Sequence, residues 1–159
     1  MPPPHGRVEF RSDLLRERIM TLEWTEQLSV GNALIDSEHR NLIGMINSIE
    51  HALRSGNQLD LQRTFKLLAD CVRVHFLNEE RVAKAAEFPV EHHKRIHEYL
   101  QRELQYLREE LEAKSGMWSQ GAVEHFSRML GNWLLDHITG EDMQLKSALQ
   151  VLPYDFSPT

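Results

Sequence analysis

Residues 75–97 read HFLNEERVAKAAEFPVEHHKRIH. His75 and Glu79 are four residues apart, as are His93 and His97, and that spacing sets each pair on one face of a helix. Phe88-Pro89 stands between the pairs and breaks the helix, because proline lacks a backbone donor and disfavours helix at the residue before it. The stretch therefore reads as the end of one helix, a short connection, and the start of an antiparallel neighbour. Four metal-type side chains are brought to the same interior.

The same pattern continues outward in both directions. The helix that holds His75 has an apolar stripe through Leu61, Phe65, Leu68, Val72, Val82 and Ala86. The one that holds His93 continues through Leu100, Leu104, Leu107 and Leu111. Upstream, Ile35, His39, Leu42, Ile46, Ile49 and Leu53 step by three and four, and downstream Val123, Phe126, Leu130, Trp133 and His137 do the same. Such steps give an inward stripe on a bundle helix. Ser55-Gly56-Asn57 and Ser115-Gly116 supply the other two breaks. Long helices with short connections predict an all-α fold, an up-down-up-down antiparallel four-helix bundle with an N-terminal arm. Residues 1–21 read as the arm or extension, 22–152 as the bundle and 153–159 as a tail. Ser12–Met20 reads as a short helix or an exposed arm. Asp36 or Ser37 is expected to cap the first helix and Pro153 to stop the last. No internal repeat is visible.

Bulk composition narrows the function classes. The chain has 159 residues, 41% hydrophobic and 26% charged, which suits one domain with a real core. A formal net charge of -6 without a dense basic run argues against nucleic acid as partner. No apolar run approaches membrane-spanning length, and the start Met1-Pro2-Pro3-Pro4-His5 lacks a signal-type apolar stretch. A soluble, cytoplasmic protein is the expectation. The single cysteine, Cys71, excludes an internal disulfide and reads as an inert thiol beside the stripe.

The chemistry lies in what the stripes contain. His39, His75, Glu79, His93, His97 and His137 all fall on inward positions. Any one alone would read as a hydrogen-bonded core residue. Together they would carry a large desolvation cost in one small interior unless something compensated them. A metal is the natural compensation, since imidazole and carboxylate are its usual donors. His5, His51, His92 and His125 lie off the stripes or outside the helices and are given no metal role.

The segment Trp24 to Asp142 resembles a bacterial hemerythrin domain over about three quarters of the chain. The resemblance rests on Trp24…Val30-Gly31…Ile35-Asp36-Ser37-Glu38-His39, on His75-Phe76-Leu77-Asn78-Glu79-Glu80, on His93-Lys94-Arg95-Ile96-His97, and on Trp133-Leu134-Leu135-Asp136-His137-Ile138…Asp142. It implies two irons. His93, His97 and His137 would bind one; His39 and His75 would bind the other. Glu79 and Asp142 would bridge them, with an oxygen atom from solvent. Counting six positions on each ion then leaves one vacancy, on the iron with two histidines. Phe76, Trp133, Leu134 and Ile138 match family positions near the dioxygen pocket. Two residues depart from the pattern. Glu38 stands where the family usually has Gln and reads as a solvated helix residue. Ala83 stands where it usually has Met and implies easier solvent access.

The implied function is reversible dioxygen binding for storage, delivery or scavenging, rather than catalysis. The alternatives are an oxygen or redox sensor acting through a separate partner, since the appended output module expected of a fused sensor is not seen, and a di-iron oxidase, peroxidase or nitric-oxide-handling enzyme. Ferritin-like enzymes use Glu-x-x-His pairs, and none falls on the inward stripes. The irons are expected near the middle of the bundle. One geometric problem remains. His137 and Asp142 are five residues apart, about 140° around an ideal helix. A widened π-type turn near 137–142, helped by Gly140, would restore the phase. The alternative is a straight helix in which Asp142 reaches round and Leu134, Ile138 and Leu145 form an unbroken stripe.

Overall fold

The computed structural model describes residues 21–114 and 118–159. The expected arm, including the helix at Ser12–Met20, and the Ser115-Gly116 break lie outside the described residues, apart from Thr21. Four long helices follow one another: α1 (Ala33–Ser55), α2 (Gln58–Ala85), α3 (Glu91–Ala113) and α4 (Gln120–Gly140). A 3₁₀ turn (Asp142–Leu145) and a single α-turn, α5 (Lys146–Leu149), complete the chain. Each long helix packs on the next and α4 returns to α1, which closes the bundle. No described helix is long and apolar enough to cross a membrane.

Local chemistry explains the helix ends. Gly56 takes the left-handed conformation (φ 64°) that ends α1, and its N–H bonds back to Ala52 and Leu53. Asn57 then caps α2, its side chain accepting from the Asp60 amide. These few residues turn the chain through a tight antiparallel hairpin. After α2 the Phe88 amide bonds back to the Ala83 carbonyl before Pro89. Ser119 caps α4 by accepting from Ala122.

The cap of α1 is neither Asp36 nor Ser37. Asn32 holds that place, with extended backbone and a side chain that accepts from the Ile35 amide. Asp36 is instead fully buried, accepting from Ser29 Oγ at 2.5 Å, the Val30 amide at 2.9 Å and Tyr154 Oη at 3.2 Å. The segment read as a tail is tied to the same place. The Tyr154 carbonyl accepts from the Ala33 amide at 2.8 Å and the Phe156 carbonyl from Asn32 Nδ2 at 3.0 Å. The last helical turn stops at Leu149, ahead of Pro153, so proline is not what ends it.

Two apolar clusters divide the interior. The larger runs along all four helices, through residues such as Leu42, Ile46, Phe65, Leu68, Leu104 and Leu130. The smaller gathers Val30, Ile35, Val82, Ala83, Leu145 and Leu149. The metal-type residues gather where the two clusters meet: His39 lies between Ile35 and Leu42, and Glu79 between Phe76 and Val82. The donors thus sit toward one end of the helices, not at their middle. The second cluster, built largely from segments flanking the four helices, seals that end.

The phase problem on α4 is solved in a third way. Regular bonding reaches from the Glu141 amide to the His137 carbonyl, after which Gln144 bonds to Glu141 with 3₁₀ spacing. The helix therefore ends and restarts as a tighter turn; it does not widen into a π-turn. Gly140 is not among the glycines with positive φ. The inward stripe runs through Leu130, Leu134 and Ile138, with Trp133 at its half-buried edge.

Candidate metal centre

All seven expected donors meet. Glu79 and Asp142 are fully buried at the centre. His97 Nε2 lies 3.0 Å and His93 Nε2 3.2 Å from Glu79 Oε1, while His75 Nε2 lies 3.2 Å from Glu79 Oε2. His137 Nε2 is 3.0 Å and His93 Nε2 3.2 Å from Asp142 Oδ1, and His39 Nε2 is 3.1 Å from Asp142 Oδ2. The donors form two overlapping groups: Glu79, His93, His97, His137 and Asp142; and His39, His75, Glu79 and Asp142. Within each group the ligand atoms lie within 4.8 Å of one another. Both carboxylates belong to both groups.

The fit to a metal can be tested on the atoms themselves. His39 Nε2, His75 Nε2, His137 Nε2, Glu79 Oε2 and Asp142 Oδ2 are buried and lack an aligned hydrogen bond, although opposite charges stand close by. Buried polar atoms are normally satisfied. Donor atoms that converge without pairing are what a bound cation would satisfy.

The electrostatics agree. Burial alone would lower the His75 pKa, but Glu38 and Glu79 outweigh it and push it up to about 10. Burial likewise opposes Asp142 and Glu79 at His93, which is raised to about 9. His39 and His137 are also raised against the pull of burial, chiefly by Asp142. Burial would raise the Glu79 carboxyl, yet His39, His75, His93 and His97 hold it well below the usual range. Burial and the Glu79 charge would raise Asp142, but His137, His39 and His93 hold it down. Without a cation the layer neutralises itself with protons. A cation that takes their place must displace them.

Behind the donors lies a second set of carboxylates that sequence reading missed. Glu38 Oε2 is 2.6 Å from His75 Nδ1, Glu80 Oε1 is 2.8 Å from His97 Nδ1, and Glu141 Oε2 is 3.3 Å from His137 Nδ1. Each holds a ring by the nitrogen that faces away from the centre, which fixes the tautomer and leaves Nε2 free as a ligand. Glu38 is thus no solvated helix residue. The signal for Glu141 was present in its spacing of four from His137. Glu38 and Glu80 are immediate neighbours of donors on their own helices, and nothing in their spacing singles them out.

The residues expected near the dioxygen pocket divide. Phe76 is buried and stacks on the His97 ring, with centroids 3.9 Å apart and planes at 2°. Leu134 and Ile138 are buried in the larger cluster. Trp133 donates from Nε1 to the Leu100 carbonyl at 3.0 Å and lines a groove of 440 Å³ between α3 and α4. Ala83 is 1% exposed within the second cluster, with Phe88 packed against that cluster, so the missing side chain leaves no opening to solvent. His51, His92 and His125 are exposed, as their off-stripe positions predicted. Cys71 is half-buried, and burial, helped by Asp70 and Glu38, pushes its thiol up and away from the reactive thiolate.

The family model described as the hemerythrin HHE cation binding domain matches residues 30–149. The chain belongs to the hemerythrin family. It is 30% identical over 123 residues to the bacteriohemerythrin of Stenotrophomonas maltophilia, covering 76% of each chain. The bacteriohemerythrin of Pseudomonas aeruginosa is 26% identical over 122 residues, again covering 76% of each. The hemerythrin-like protein of Naegleria gruberi is 28% identical over 127 residues, which cover 79% of this chain and 92% of that one. A solved hemerythrin variant shares the fold, with a TM-score of 0.69 at 21% identity, over 80% of this chain and 96% of that one. The cofactor of this hemerythrin domain is a di-iron centre, and its imidazole and carboxylate donors suit that metal. It is an oxygen-binding domain.

Proposed function

We propose that this hemerythrin binds dioxygen reversibly, as a store, carrier or scavenger. In this reading His93, His97 and His137 hold one iron and His39 and His75 hold the other. Glu79 and Asp142 serve both. The observation that carries the reading is the inequality of the two donor groups, which contain three histidines and two around the same pair of carboxylates. The poorer group leaves room for a small ligand. Phe76, Leu134 and Ile138 provide apolar walls, with Trp133 at the rim, and together they disfavour anions and bulky substrates.

The chain's own groups also fix the donors. The Nδ1 positions of His75, His97 and His137 are held by glutamates, so each ring keeps its orientation and presents Nε2 to the metal. The test is anaerobic reduction of the iron-loaded protein followed by dioxygen and then by its removal. A visible band that appears and vanishes with dioxygen is expected. Steady consumption of dioxygen with an added reductant, and no stable band, would move the assignment to a di-iron oxidase or peroxidase.

A further inference from the structure

We propose that Glu38, held in place by Asn78, is a positioning residue that sets the metal affinity and reduction potential of the His39/His75 half of the centre through its negative charge. The inference rests on the ligand assignment proposed above but not on dioxygen binding. Glu38 stands on α1, one residue before His39, yet it serves a ring on α2. One oxygen meets His75 Nδ1 at 2.6 Å and the other accepts from Asn78 Nδ2 at 2.7 Å. Asn78 is three residues beyond His75, so α2 grips both oxygens from one face. The Glu38 side chain is 19% exposed, which leaves its charge little screened.

The two halves differ in how they are backed. His97 and His137 each have a glutamate at Nδ1. His39 Nδ1 is buried without a hydrogen-bond partner. Among the described residues, Glu38 is therefore the one carboxylate seen to back the His39/His75 half. An anionic acceptor on Nδ1–H makes an imidazole a stronger donor at Nε2. A stronger donor stabilises the more highly charged ion, so it tightens binding and lowers the potential. Neutralising Glu38 removes all of this backing from one half, whereas neutralising Glu80 leaves Glu141 in the other.

The experiment uses the full chain, loaded anaerobically with ferrous iron and, in parallel, with cobalt(II) as a spectroscopic probe. Glu38→Gln keeps an acceptor and removes the charge. Metal loss to a chelator is followed with time, and the midpoint potential is measured by redox titration. One of the two metals should leave about 10-fold faster. At fixed potential the oxidised-to-reduced ratio should fall about tenfold, which is about 59 mV upward for a one-electron couple. Glu80→Gln should give the smaller change, and Asn78→Ala a shift in the same direction as Glu38→Gln. Circular dichroism checks that each variant folds, and Asn78→Ala leaves every carboxylate in place should Glu38→Gln fold poorly. Wild-type release and potential in both Glu38→Gln and Asn78→Ala would overturn the role of Glu38. So would a change in Glu38→Leu that Glu38→Gln does not share, because the charge would then be irrelevant. A chain that takes up no pair of metals would instead overturn the ligand assignment, and a chain that shows these shifts without a dioxygen band would overturn only reversible binding.

Discussion

The larger apolar cluster and the donor layer beside it are folded by the same helices and governed by opposite rules. In the cluster, Leu42, Phe65, Leu68 and Leu130 are almost wholly buried and need only shape and volume. In the layer, five histidines and two carboxylates are buried within a few residues of those leucines. Burying such groups costs stability unless they are paired. The contrast shows a division of labour: the apolar length of the bundle supplies the folding energy, and the donor layer draws on it to keep binding groups together.

The hardest break in that comparison is Glu79→Ala. Its two oxygens face both donor groups, so elemental analysis should find both metals lost and not one. Retention of a full pair would mean that the layer does not depend on a shared carboxylate. Phe65→Ala attacks the other side. It should cost about 3–5 kcal/mol in denaturant melts while leaving two metals per chain. Loss of metal in step with that stability would erase the distinction between the two regions.

Metal removal should come next in size. Saturation at about 1,000 times the dissociation constant stabilises a fold by about 4 kcal/mol, so chelation should lower the melting temperature by roughly 8–16 °C. Equal melting with and without metal would contradict the layer's need for a cation. The pH dependence sharpens the point. The folded-state pKa values of His75 and His93, about 10 and about 9, lie above their ordinary 6.5. Their contribution to the metal-free protein is fully present below that ordinary value and is lost as pH rises through 9 to 10. Glu79 and Asp142 are lowered, so theirs is present above the usual carboxylate range and is lost on acidification. Melting of the metal-free protein should therefore fall between pH 7 and pH 10, whereas the loaded protein, whose rings are already neutral, should not follow it. The smallest effect concerns the seal. Asn32→Ala removes the cap of α1 and should cost about 1 kcal/mol, read from the melting temperature, with no change in metal content.

What the sequence revealed depends on the range of the interaction. The stripes, the Gly56 turn and the six histidine and glutamate positions on the stripes are repeated or local patterns, and each was legible, whereas Asp142 came only with the family resemblance. The second cluster was legible only in part. Ile35, Val82 and Ala86 stood on the stripes, but much of the rest comes from residues 30, 88 to 90 and 143 to 156, segments too short to show a period. Asp36 looked like a cap because aspartate often is one, but its partners Ser29 and Tyr154 are joined only by the fold. Glu38 was misread for the same reason, since its partners lie on another helix. The phase slip at His137 was visible by counting; whether the backbone would widen or break was decided by the segment beyond it.

The bond from Tyr154 to Asp36 joins residues 118 apart in sequence, and that from Asn32 to Phe156 residues 124 apart. The hairpin of α1 and α2, by contrast, closes over a few residues around Gly56. Contacts across such long stretches of chain carry a loop-closure cost that is repaid only after the intervening helices have collapsed. The hairpin is therefore the cheap closure of the fold, and the bonds that bring residues 154 and 156 back to 36 and 32 are the costly ones, which the whole bundle must support.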